Sequence, residues 1–258
     1  MTSTTETSMP LIDQSVGFSK RLSVLGYGIM SYLIGVAALL WILLGIADLA
    51  PVGLSPLHTD SAGLAVLVDL VLIVLFGLQH SIMARGSFKQ GLQRLLPEAV
   101  ERSTYVLMSG IVTAIAIYFW QPVAGQIWQV ENTLLRAVLW TGFAAGWGYL
   151  FLATFVTNHF ELMGLRQVYL YFTKQPYNKL PFTSKFMYRY SRHPMMLGLL
   201  LGIWAIPQMS VTQFIMSSLL TVYIAIGITL EERDLVKTFG ETYRQYKNRI
   251  ATFIPKIF

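Results

Sequence analysis

No cysteine occurs anywhere in the 258 residues, which excludes disulfides, thiolate-held iron–sulfur clusters and a cysteine nucleophile. Any thiol chemistry must therefore use a thiol that arrives as substrate. Charge is also scarce: Asp, Glu, Lys and Arg make up 12% of the chain, against about 25% in soluble domains. Histidine appears only at positions 58, 80, 159 and 193, with no two spaced three or four apart. The helical pairs that carry di-metal sites are thus missing, and no metal is expected. The opening "MTSTTETSMPLIDQS" has no signal-peptide pattern and reads as part of a polar tail over residues 1–24. With no internal repeat and no separate soluble stretch, residues 25–258 read as one membrane domain.

What is present is apolar: 54% of residues are hydrophobic. Continuous runs lie at Leu25–Ala47, Ala62–Ala84, Ser103–Trp120 and Leu134–Val156, each near the ~20 residues that cross a hydrocarbon core. A fifth run from Met195 to Leu230 is interrupted by Pro207, which removes a backbone donor and breaks a helix. It predicts a helical hairpin, Met195–Ile206 and Thr212–Leu230, turning through "PQMSV". The expected fold class is an all-α integral membrane protein of about six hydrophobic helices.

Basic residues set the orientation. Lys20 and Arg21 precede the first run; Arg85, Lys89, Arg94 and Arg102 follow the second; six lie between Arg166 and Arg192, and six more follow Leu230. The other connections contain none. This alternation places both termini and both basic loops in the cytoplasm; a bacterial inner membrane is the expected location. The net charge of +6 is then explained by topology and by an anionic leaflet, not by nucleic acid.

Ionisable groups at membrane depth are costly and mark candidate sites. Asp69 lies within "VLVDLVLIVLF", His80 ends the same helix, and Asn158 and His159 end the fourth run. Asp69 reads as a polar contact inside the bundle, because it is 11 residues, or about 16 Å, from His80. Both His80 and His159 fall at the cytoplasmic boundary. After the last run, Leu235, Phe239, Tyr243, Tyr246 and Ile250 form one stripe, which predicts a single amphipathic cytoplasmic helix.

The combination of "RHP" at Arg192–Pro194, Gly198, a helical hairpin, the pair Glu231–Glu232, then "FG..Y..Y" and "IP" resembles the C-terminal half of a superfamily of integral-membrane methyltransferases. Its members include isoprenylcysteine carboxyl methyltransferases and phospholipid methyltransferases. The stretches "FGLQHSIMAR", "ERSTYVL" and "NHFELMGLRQVYLYF" look like the methanethiol S-methyltransferase branch. One departure is Met196, where many members of the superfamily have tyrosine.

The resemblance implies an enzyme that methylates methanethiol to dimethyl sulfide with S-adenosyl-L-methionine bound by residues 186–258. Tyr190, Arg192, His193, Pro194, Gly198, Glu231, Glu232 and Tyr246 would hold the cofactor, with Arg189 as a further arginine for its carboxylate. A thiol must lose its proton before it attacks, so a positioned base is needed. His80 is the favoured base, with Tyr243 or His159 orienting it or relaying the proton; Asn158 and Arg166 would contact the thiol or its thiolate. The alternatives are methylation of a lipid or prenylcysteine carboxylate, and a non-enzymatic sensor or carrier with a vestigial cofactor fold.

Overall fold

The computed structural model describes residues 9–10, 15–178, 180 and 183–254. Half of the expected polar tail, residues 1–8 and 11–14, therefore lies outside the described residues. Ten α-helices follow in order among the described residues: α1 (Phe18–Ile46), α2 (Ala62–Met83), α3 (Gly86–Gln93), α4 (Glu101–Phe119), α5 (Thr133–Val156), α6 (His159–Leu162), α7 (Leu165–Phe172), α8 (Pro194–Trp204), α9 (Val211–Phe239) and α10 (Glu241–Arg249). Five of them, α1, α2, α4, α5 and α9, are long and apolar enough to cross a membrane; α8 is a shorter apolar helix. Many large apolar side chains on these helices are exposed, as a bilayer-facing surface requires.

Helix boundaries follow local chemistry. Ser61 caps α2 by accepting from the Leu64 amide, and Asn132 caps α5 by accepting from Leu135. The hairpin turn is closed by a short strand, Gln208–Ser210, paired with Gln126–Gln129, and Ser210 and Gln213 form a capping box on α9. Pro194 begins α8 at a position where its missing N–H costs nothing. Two expected boundaries move. Helix α1 starts at Phe18 inside the expected tail, where Arg21 lies over the Phe18 and Phe172 rings and donates to the Phe172 carbonyl. The single amphipathic helix after Leu230 is instead the end of α9 followed by α10. Gly240, at φ 55°, breaks the helix inside an otherwise unbroken apolar stripe.

Packing is organised by close pairs: α1 on α4, α5 on α8, and α2 between α4 and α9. Glycine permits the second pair. A Cβ at Gly146 would fall 2.6 Å from the Gly202 nitrogen, and one at Gly198 would fall 2.6 Å from the Gly146 carbonyl. Gly142/Gly146 and Gly198/Gly202 thus form facing small-residue stripes. The main core gathers Ile46, Trp120, Phe143, Trp147, Ile203 and Met209 at the far end of the bundle from His80. Asp69 is fully buried there and accepts the Gln121 amide at 2.8 Å, beside the last turn of α4. That contact matches its reading as a bundle residue.

Because the long helices alternate in direction, the near end collects the start of α1, the end of α2, the start of α4, the end of α5, the start of α8 and the end of α9. All the candidate residues lie at this end.

Candidate active site

His80 lies in the last turn of α2 and is held from both sides. Its Nε2 is 2.5 Å from the Tyr105 hydroxyl, and its Nδ1 is 3.2 Å from the Ser109 hydroxyl. Phe76 and Tyr223 wall the imidazole, with ring centroids 5.4 and 6.4 Å away. Tyr223 gets this near because Gly77 has no side chain: a Cβ there would sit 3.0 Å from the tyrosine ring. The Arg102 guanidinium lies over the Tyr105 ring at 4.8 Å, fixed by its Nε donating 2.6 Å to the Leu162 carbonyl. The expected orienting partners of His80, Tyr243 and His159, are replaced by Tyr105 and Ser109.

The "RHP" segment closes on the other half of the site. Arg192 donates from Nε to Glu232 at 2.7 Å, from its amino groups to the Lys247 carbonyl and the Thr252 hydroxyl, and also to the Ile250 carbonyl. Glu232 also accepts from Lys247 at 2.7 Å and from His193 Nε2 at 3.1 Å. Three basic groups thus converge on one buried carboxylate, and the expected role of Arg192 and Glu232 as cofactor ligands meets a physical obstacle. Most of their hydrogen-bonding capacity, four of the five N–H groups of Arg192 and three bonds to Glu232, is spent in fastening α8, α9 and the C-terminal segment together.

Glu231 differs from its neighbour. Its side chain is 47% exposed and its contact with His193 Nδ1 is long, 3.5 Å. It is also near enough for its charge to act on His80, Tyr105, Tyr188 and Tyr243. Tyr190 and Arg189 are exposed. Pro194 is buried at the start of α8, and Gly198 faces α5, where helix packing accounts for it. Tyr246 donates to the Tyr188 carbonyl at 2.6 Å, and burial pushes its phenol up to about 12. Burial also raises the Tyr243 phenol, helped by Glu232 and Glu231 and opposed by Arg192. Both tyrosines are therefore neutral donors at physiological pH.

His159 is buried against α1. Thr154 donates its one hydroxyl proton to the Phe151 carbonyl at 2.6 Å, so at 2.9 Å from Nδ1 it must accept. That assigns the proton to Nδ1, and Nε2 accepts from Tyr32 at 3.1 Å. Phe155 stacks on the ring at 4.6 Å. Neither nitrogen is left to meet a thiol directly. Asn158, at φ 77°, caps α6 by accepting from the Glu161 amide. Arg166 pairs with Glu161 at 2.7 Å and lies over Tyr177, whose hydroxyl also bonds Glu161. Glu161 and Tyr177 border a cavity of about 280 Å³ that Lys89, Glu101, Arg102 and Thr157 also line, whereas Asn158 and Arg166 are not among its lining residues.

Burial holds the His159 imidazole below the usual histidine range, which gives a pH-dependent stability. The unfolded chain takes up a proton near pH 6.5 while the folded one resists it. Stability should be complete above that value and should fall as pH drops through it. A His159→Gln protein should lose this part of the acid sensitivity in thermal unfolding at pH 5.5 and 7.5. Equal acid sensitivity of parent and variant would show that other groups dominate.

Arg102, Tyr105 and Ser109 were not singled out from the sequence. The signal was there: offsets of 0, 3 and 7 in "RSTYVLMS" put them on one face of a helix, and the apolar run around them hid it.

The phospholipid methyltransferase family matches residues 140–242, from α5 into α10. A methanethiol S-methyltransferase of Crocosphaera subtropica is 38% identical over 94% of this chain and 96% of its own. Those of Pseudomonas deceptionensis and Mycobacterium tuberculosis are 43% and 37% identical, covering 75% and 92% of this chain and 74% and 97% of theirs. No solved structure matches. At these identities and coverages, the chain belongs to the methanethiol S-methyltransferase family.

Proposed function

We propose that this protein transfers a methyl group from S-adenosyl-L-methionine to methanethiol, giving dimethyl sulfide, at the cytoplasmic face of the membrane. The observation that carries this reading is the His80–Tyr105 pair, set among aromatic rings with Arg102 over the Tyr105 ring. A small apolar thiol needs little more than an apolar wall, a base and a nearby positive charge. The relatives' names supply the substrate, and the Lys/Arg alternation supports the cytoplasmic face and cytoplasmic termini.

The cofactor fits the unspent groups. Glu231 retains acceptor capacity for ribose hydroxyls or an ammonium, the exposed Arg189 suits a carboxylate, and Tyr190 offers a ring. When bound, the cofactor supplies a methyl group on a positively charged sulfur. His193 and Pro194 hold the rim in place through Glu232 and the start of α8. His80 acts as the ultimate proton acceptor, and Arg102 stabilises the thiolate left behind. A dry mouth favours the reaction, because two opposite charges are lost in the transition state.

A headspace assay with methyl-labelled cofactor and a panel of thiols, phospholipids and prenylcysteine tests this. Labelled dimethyl sulfide from methanethiol is expected, with rates falling as the thiol grows. Label in lipid or in a prenylcysteine ester, and none in volatile sulfide, would replace this reading with the alternative enzymes. Failure of well-folded protein to bind adenosylhomocysteine would favour the sensor or carrier.

A further inference from the structure

We propose that Tyr105 is a catalytic residue: it touches the thiol and passes the thiol proton to His80. The proposal rests on His80 being the base and adds the group through which it acts. Both imidazole nitrogens are engaged, Nε2 by Tyr105 at 2.5 Å and Nδ1 by Ser109 at 3.2 Å, and Phe76 and Tyr223 flank the ring. No lone pair of His80 is left to meet a substrate directly. The phenol is the stronger donor of the pair, so Tyr105 gives its proton to Nε2, and Nδ1–H donates to Ser109. The Tyr105 oxygen then keeps two lone pairs, and His80 is its one hydrogen-bond partner among the described residues. It is the open acceptor of the pair.

The step is a proton relay. The S–H proton moves to the Tyr105 oxygen as the Tyr105 proton moves to His80 Nε2. The S–H and O–H bonds break, new O–H and N–H bonds form, and the products are thiolate and imidazolium with no change in total charge. Arg102, over the Tyr105 ring at 4.8 Å, offsets the negative charge that passes across the oxygen and comes to rest on sulfur. Imidazolium later returns its proton to water. Tyr105 itself ends unchanged, so the relay needs no co-reactant.

Tyr105→Phe, His80→Ala and the double variant, purified in detergent, test the relay. Tyr105→Phe should lower turnover by about 10- to 10²-fold, less than loss of the base itself, because His80 is then uncovered. Its affinity for adenosylhomocysteine should stay within about twofold of the parent. In protein labelled with ¹⁵N-histidine, the His80 imidazole signal, identified by its loss in His80→Ala, should shift in Tyr105→Phe. The double variant should be no slower than His80→Ala, because groups acting as one unit are not additive. The proposal is overturned by parental turnover in Tyr105→Phe, by multiplying defects in the double variant, or by an unmoved imidazole signal. Parental turnover in His80→Ala would remove the base reading and the relay together. If Tyr105→Phe fails to fold, 3-fluorotyrosine at position 105 keeps the hydrogen bond and acidifies the phenol. The pH profile of turnover should then move to lower pH, and an unchanged profile would overturn the relay.

Discussion

Replacing His80 with alanine is expected to lower turnover at neutral pH by ~10²–10⁴, the range for losing a general base. The substrate sets this size. Free cysteine has a pKa of about 8.5 and a simple alkyl thiol is a weaker acid, so little thiolate exists at neutral pH without help. In the variant the Tyr105 hydroxyl keeps its place on α4 but has no acceptor for its proton. The defect should shrink as pH rises, because the thiolate then forms in water and needs only Arg102 to receive it. Adenosylhomocysteine should still bind, since Glu231 and the "RHP" rim are untouched. A helix-capping role would instead cost about 1 kcal/mol of stability and leave turnover within a few-fold. A folded His80→Ala protein with parental turnover from pH 6 to 9 would exclude His80 as the base. The assignment would then move to Tyr243 or to His159, whose Nε2 accepts from Tyr32 as that of His80 does from Tyr105.

The legible parts of the sequence were those with one-dimensional signals. Apolar runs located the five long helices, and Pro207 located the hairpin turn, because length and a missing donor act locally. His80 stood out because an imidazole at the end of an apolar helix is chemically conspicuous. Its partner did not. Tyr105 lies 25 residues away on a different helix, and only the packing of α2 against α4 brings the two together. The same limit applies to Arg192 and Glu232. "RHP" and "EE" pointed to a charged rim, but the sequence does not reveal that Lys247 and Thr252 come back to fill the same space. Gly240 was visible in "FGETY", yet the apolar stripe running through it masked the break, because a glycine interrupts a helix only where its φ is positive.

The adjacent glutamates make that limit measurable. Glu232 has a side chain only 8% exposed and takes Arg192, His193 and Lys247 at 2.7, 3.1 and 2.7 Å. Glu232→Ala leaves Arg192, itself 10% exposed, without its counter-charge, and the Nε2 of His193, 4% exposed, without its acceptor. Removing one partner of a buried pair costs ~3–5 kcal/mol, because the remaining Arg192 charge is poorly hydrated and keeps only neutral acceptors, the Lys247 and Ile250 carbonyls and the Thr252 hydroxyl. The midpoint of thermal unfolding should therefore drop sharply, and the C-terminal segment held through Arg192 should become open to proteolysis. Glu231 is 47% exposed with one contact at 3.5 Å, so Glu231→Gln should cost less than ~1 kcal/mol. Its effect should fall on the ligand: losing a charge-assisted hydrogen bond worth ~1.5–3 kcal/mol weakens adenosylhomocysteine binding by about 10-fold or more. The opposite result, stability lost at 231 and affinity lost at 232, would mean that Glu232 turns toward the cofactor when it binds and that Arg192 is released with it. Equal losses at both positions would mean that the fastening and the binding site are one network.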